Sequence, residues 1–197
     1  MEPTASMALR AARKAGDLIV RASDDMDRVG YQAKAAADFV TEVDIAAEKE
    51  ILYQLGKAYP EHRFLCEESG LSGNEDSDYT WVIDPLDGTS NFLRGIPHYA
   101  ISIACLHRGK IEHAVVYDPV RREEFIASRG RGAQLNGHRI QRIFEGVSQR
   151  NFAEVFVAEI LGAVAGPAAW SIHKNVFRLH SGTDGGCIGK ELEGGSR

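Results

Sequence analysis

Apolar residues recur along this chain at two periods, and the change of period divides it. Met7, Ala11, Ala15, Leu18 and Ala22 recur at helical spacing, with Arg10, Arg13, Lys14 and Arg21 off that stripe, which predicts an amphipathic first helix. Thr41 is placed to cap a second helix whose buried stripe is Val43, Ala47, Ile51 and Leu55. Tyr59-Pro60 ends it, because the residue before a proline is pushed out of helical conformation. Short apolar runs then take over. RFLC (63–66), TWVID (80–84), AISIACLH (100–107), IEHAVVYD (111–118) and EEFIAS (123–128) read as strands. Arg108-Gly109-Lys110 joins two of them as a hairpin, Asp118-Pro119 opens a turn, and Asn136-Gly137 within GAQLNGHRI marks another. Two helices followed by hairpin-connected strands predict an α+β layered fold with a largely antiparallel sheet.

Composition narrows the function classes. The 197 residues suffice for one domain, or one large and one small, and 44% hydrophobic content is ordinary for a buried core. A formal charge of -5 argues against a mainly electrostatic nucleic-acid binder. Arg121, Arg122, Arg129 and Arg131 make a modest local basic patch, which a solvated hairpin face explains more simply. Cys66, Cys105 and Cys187 are odd in number with no CxxC spacing, the pattern of free thiols in a reducing compartment and hence a cytoplasmic location. Nothing resembles a membrane span, and the basic start lacks the apolar core of a signal peptide.

The chemistry concentrates in WVIDPLDGTSNF (81–92). Val82 and Ile83 are strand formers, so Asp84 stands where a strand leaves its sheet, and Pro85, having no N–H, is expected to end the ladder there. Asp87 can turn back towards Asp84, and two carboxylates brought together repel unless a proton or cation lies between them. Oxygen-only ligands of this kind suit Mg²⁺ or another hard divalent ion. Gly88 allows backbone N–H groups to approach an anion, Thr89 adds a hydroxyl, and Ser90-Asn91-Phe92 can open a helical turn. The plainer reading is an Asx-type turn with Asp84 and Asp87 as caps.

Glu67-Glu68 follows RFLC, again acids at a strand exit, and one of them could complete a metal site; most such pairs are exposed loop acids. Asp44 and Glu48 lie four apart near the start of the second helix, where both suit the helix dipole; that reading is stronger for Glu48 than for Asp44, which has apolar neighbours. An aspartyl-nucleophile phosphatase fails on spacing, because Pro85 stands two residues before Asp87. A calcium EF-hand run is absent, and His98, His107 and His113 share no metal spacing.

DFVTEVD (38–44), CEESG (66–70), WVIDPLDGTSNF (81–92), VVYDP (115–119) and GRGAQLNG (130–137) occur in that order. Together they resemble the inositol monophosphatase family, especially its bacterial members. The resemblance implies the family's layered α/β sandwich and a Mg²⁺-dependent phosphomonoesterase acting on inositol phosphates or related small polyol or sugar phosphates, by direct attack of water. By motif position, Glu67 and Asp84 would hold a first magnesium with the Leu86 carbonyl, and Asp84 and Asp87 a second. Glu67 and Thr89 would orient the attacking water. Leu86, Asp87, Gly88 and Thr89 would form the substrate-facing turn, with the Gly88 and Thr89 amides towards phosphate, and Asp44 would line the same cavity. The resemblance further implies Mn²⁺ as a substitute, Li⁺ as an inhibitor, a homodimer, and an association with RNA or the transcription machinery.

The quoted motifs cover residues 1–140. Residues 141–197 are expected to be a divergent or aberrant segment of a truncated family member, with a helix over AEVFVAEILGAVAG and a disordered polar end. The family's WDxAAG motif is not found: Trp170 is followed by Ser171. The expected site is therefore present but impaired, and a weak enzyme acting by binding is the alternative.

Overall fold

The computed structural model describes residues 1–25, 29–35 and 38–140, and for 32–35 and 38–40 the backbone alone. The expectations for 141–197 lie outside the described residues. Helix α1 spans Pro3–Ser23 and α2 spans Glu42–Ala58. Between them β1 (Tyr31–Ala35) and β2 (Asp38–Thr41) pair as an antiparallel hairpin, which the motif DFVTEVD did not betray. The remaining strands are β3 (Arg63–Cys66), β4 (Gly70–Gly73), β5 (Tyr79–Asp87), β6 (Ala100–His107), β7 (Lys110–Asp118), β8 (Glu123–Ser128), β9 (Gly132–Leu135) and β10 (His138–Arg139), with the short helix α3 (Thr89–Leu93) after β5. They form one sheet in the order β10-β9-β8-β7-β6-β5-β3-β4. Only β3 and β5 run parallel; the other neighbours are antiparallel. The α+β class with N-terminal helices and a mostly antiparallel sheet is as the patterning predicts.

Strand alternation divides the core. Trp81, Ile83, Ile101, Ile103, Val115 and Ile126 pack with the buried sides of α1 and α2. Val82, Ala104, Leu106, Ala114, Ala127 and Ala133 form a second, smaller cluster, with Ile140 against it, as period-two patterning requires of a sheet buried on both faces. On α2 the stripe Val43, Ala47, Ile51 and Leu55 is buried as expected. On α1 it is rotated by about one position: Ile19 is fully buried and Leu18 only partly. The cause is Gly16, which lies against β7 so closely that a Cβ there would come 2.7 Å from the Tyr117 ring. That approach sets which side of the helix faces the sheet.

Pro85 does not end the ladder. Asp84 pairs with Ser102 and Asp87 with Ala100, so Pro85 and Leu86 face Ile101 alone as a two-against-one bulge, and the strand resumes. A bulge re-aims side chains without terminating a strand. At the other end of β5, the rings of Tyr59, His62, Tyr79 and His107 stack in a column, with centroids 4.8, 4.7 and 4.5 Å apart. The Trp81 indole N–H donates to His62 Nδ1 at 3.0 Å.

Candidate metal centre

The parallel pair explains why acids from separate segments meet. Cys66 is in register with Ile83, and the Glu67 N–H continues the ladder by donating to the Ile83 carbonyl at 3.1 Å. One position on, Glu67 and Asp84 therefore leave the same end of the sheet on neighbouring strands. An antiparallel pair would have sent them to opposite ends. The excursion through β4 makes the parallel return possible.

Asp84 is 3% exposed. Its carboxyl is pushed well above the usual range, first by burial, then by the charges of Glu67 and Asp87 and by a hydrogen bond with Glu67; the Leu86 N–H, 3.1 Å from Oδ1, opposes this. Glu67 and Asp87 are thus linked electrostatically through Asp84. Among the described residues no three acid, histidine or cysteine side chains stand as a finished metal cage. The arrangement nonetheless fits a hard divalent cation: the donors are all oxygen, and a buried carboxyl has two like-charged neighbours whose repulsion such an ion relieves.

The turn after Asp87 is built around Gly88, at φ 97° in the left-handed region. A Cβ there would lie 3.1 Å from the His98 carbonyl oxygen and 3.3 Å from Tyr99. The Asn91 side chain donates to that same carbonyl at 2.8 Å and closes the loop. The α3 turn expected over Ser90-Asn91-Phe92 is present, starting at Thr89.

Helix α2 fastens the turn from the other side. Thr41 caps it, accepting from the Val43 and Asp44 N–H groups at 3.1 and 3.2 Å, while Asp44 accepts from the Thr41 N–H at 2.9 Å and from the Thr41 hydroxyl. This reciprocal capping box leaves Asp44 Oδ1 facing Thr89 Oγ1 at 2.9 Å, and Thr89 Oγ1 is also 2.9 Å from the Leu86 carbonyl. Thr89 has one proton for two acceptors. Asp44 is 1% exposed, and burial raises its carboxyl pKa against the lowering effect of the Thr41 and Thr89 hydrogen bonds. Asp44 thus stands directly beside Thr89.

Glu48 departs from its sequence reading. It is 3% exposed and accepts from the Glu68 N–H at 2.8 Å and the Ser69 N–H at 3.0 Å. It was missed because a glutamate in the first turns of a helix has an ordinary explanation in the dipole; only its spacing one turn beyond Asp44, in line with the buried stripe, signalled otherwise. Cys66 is buried in the core, and burial first, then the nearby Glu48 charge, push its thiol up to about 12 against a hydrogen bond with Ser69.

A model of the inositol monophosphatase family matches residues 1–183, running past the last quoted motif. The Nus factor SuhB of Pseudomonas aeruginosa is 57% identical over 143 residues, which are 72% of this chain and 53% of that protein. The chain thus spans about half the length of the curated relatives it matches. The crystal structure of the extragenic suppressor protein suhB from Bartonella henselae superposes with a TM-score of 0.70 at 35% identity, covering 83% of this chain and 67% of that one. An IMPase/NADP phosphatase solved with Mg²⁺ and phosphate gives a TM-score of 0.56 at 28% identity, over 64% of this chain and 48% of that one, so a magnesium cofactor occurs among its structural relatives. The motifs, the sheet and these likenesses agree: this chain belongs to the inositol monophosphatase family.

Proposed function

We propose that the turn after β5 is a magnesium-dependent phosphomonoesterase site for inositol monophosphate or a related small polyol or sugar phosphate. The observation that carries this is the buried Asp84 carboxyl set against Glu67 and Asp87, one residue before the glycine turn. Glu67, Asp84, the Leu86 carbonyl and Asp87 would hold the cation. When bound, magnesium lowers the pKa of water and neutralises charge on the phosphoryl group. Thr89, held by Asp44, and Glu67 orient the attacking water. With the Leu86 carbonyl engaged as a cation ligand, Asp44 Oδ1 would remain the acceptor of the single Thr89 proton. Gly88 lets the turn pack closely against residues 98 and 99, where a side chain would clash, and in this reading its N–H and that of Thr89 face the phosphate. Mn²⁺ substitutes in this reading, and Li⁺ inhibits. Turnover is low in this reading, because the family's WDxAAG carboxylate is not found: the one Trp after Trp81, Trp170, is followed by Ser171. The test is phosphate release from inositol 1-phosphate across a Mg²⁺ titration, with Asp84→Asn beside the parent chain. Equal release by both would overturn the reading.

The likeness to the Pseudomonas relative, a Nus factor, favours a second reading, in which the chain binds RNA or the transcription machinery as a weak enzyme. Three of the four arginines of the basic patch are already paired: Arg121 with Asp118, Arg129 with Glu112, and Arg131 with Glu2. That leaves a small footprint for phosphates, so this reading favours a protein partner. Titrating RNA binding against salt distinguishes them, a steep slope marking the nucleic acid. A cytoplasmic location and a homodimer belong to the same proposal. No helix among the described residues is long and apolar enough to cross a membrane. Sedimentation of the purified chain tests the dimer.

A further inference from the structure

We propose that Glu48 is a positioning residue that fixes the aim of Glu67, an inference that rests on reading Glu67, Asp84 and Asp87 as cation ligands. Helix α2 carries Asp44 and Glu48 one turn apart on its inner side, where both are almost fully buried. Like charges at that spacing repel, and buried carboxylates persist only with donors to satisfy them. Asp44 finds its donors in Thr41 and Thr89. Glu48 finds them in two consecutive main-chain N–H groups, one on each oxygen: Glu68 on Oε2 and Ser69 on Oε1.

The clamped pair begins immediately after Glu67. Cys66 and Gly70 are paired strand residues, so Glu67, Glu68 and Ser69 are the whole of the connecting turn. On its N-terminal side Glu67 is fixed by the sheet, through its N–H to Ile83. On its C-terminal side the next two peptides are fixed by Glu48. With the backbone held at both ends, the direction in which the Glu67 side chain leaves it is set, and that direction is towards Asp84. One helix therefore pins both halves of the site: Asp44 holds the turn carrying Thr89, and Glu48 the turn carrying Glu67. Such outer partners govern how well a ligand meets its ion.

The clamp needs an acceptor at each Glu48 oxygen, because both donors are N–H groups. In Glu48→Gln one oxygen can still accept, but the amide NH₂ then opposes the second N–H. Calorimetric titration of the metal-free full chain with Mg²⁺ tests this on the parent, Glu48→Gln and Asp84→Asn. Glu48→Gln is expected to bind Mg²⁺ about tenfold more weakly or worse, and Asp84→Asn to lose binding. A merely structural glutamate would lower the thermal midpoint and leave the affinity of the folded protein unchanged. If Glu48→Gln binds like the parent while Asp84→Asn does not, the positioning role is wrong and the site reading stands. If all three bind alike, or the parent does not bind, the site reading fails and this inference with it. Should Glu48→Gln not fold, amide exchange in the parent decides: the Glu68 and Ser69 N–H groups are expected to be protected like those of β3, and exchange at exposed-loop rates would overturn the clamp.

Discussion

Replacing Gly88 by alanine tests the architecture of the site, and its cost divides into two parts. The first is conformational: at φ 97° a residue with a Cβ pays about 1–2 kcal/mol that glycine does not. The second is steric. The added methyl would sit 3.1 Å from the His98 carbonyl oxygen and 3.3 Å from the Tyr99 Cα and Cβ. The first two are main-chain atoms that cannot swing aside, and the His98 carbonyl is also held by Asn91. Overpacking of this kind adds about 1–3 kcal/mol, so Gly88→Ala is expected to destabilise the chain by about 2–5 kcal/mol. Gly95 supplies the control. It too has positive φ, 66°, but nothing lies within 4 Å of its would-be Cβ, so Gly95→Ala should show only the first part, about 1–2 kcal/mol. Urea denaturation of both variants and the parent, at fixed Mg²⁺, measures the two costs. Equal losses in the two variants would refute the argument, since they would mean that the loop at 98–99 does not press on Gly88.

Other expectations follow from the same geometry. Asp84 has a folded pKa above its unfolded value near 3.8, so its contribution to stability is full below that value and lost as pH rises through the folded pKa. In EDTA, Asp84→Asn should gain thermal stability over the parent increasingly as pH rises, and Mg²⁺ should erase the difference; a pH-independent gap would count against the buried cluster. Cys66, 2% exposed with its thiol pushed up to about 12, should react with a thiol reagent only on unfolding, and rapid labelling of the native chain would contradict this. Thr41→Ala removes the cap of α2 and the hydroxyl donor to Asp44, leaving the main-chain N–H, so it should cost about 1–2 kcal/mol in chemical denaturation and weaken Mg²⁺ binding as well; a loss of stability with Mg²⁺ affinity intact would detach Asp44 from the site.

The sequence was readable where one local rule decided the outcome. Thr41 and the stripe through Leu55 located α2 because cap and period agreed. The hairpins from Ala100 to Arg139 were legible because apolar runs are punctuated there by glycine turns and, after Asp118, by a proline turn. Reading failed where a tertiary contact overrode a local preference. Pro85 argues for a strand end, but β6 continues alongside and absorbs the extra residue as a bulge. The α1 stripe points to Leu18, yet the approach of Gly16 to Tyr117 turns Ile19 inward. Strand β4 (GLSG) has almost no strand propensity and is held by β3 alone. In the site, Asp84, Asp87 and Gly88 were legible from spacing. Glu48 was not, because its role lies in two peptide N–H groups twenty residues further on, and main-chain donors leave no mark in a sequence.

The hydrogen bond between Trp81 and His62 has an optical consequence. An indole emits more weakly beside a protonated imidazole, and His62 must shed its Nδ1 proton to accept from Trp81. Burial lowers the pKa of His62, so the neutral ring persists to a pH below its usual 6.5, and its protonation both breaks the bond and dims the indole. With Trp170 replaced by phenylalanine, the emission of Trp81 becomes a built-in reporter at the end of β5 remote from the acids. A dye-free fluorescence trace could then follow whether events at Asp84 travel the length of that strand.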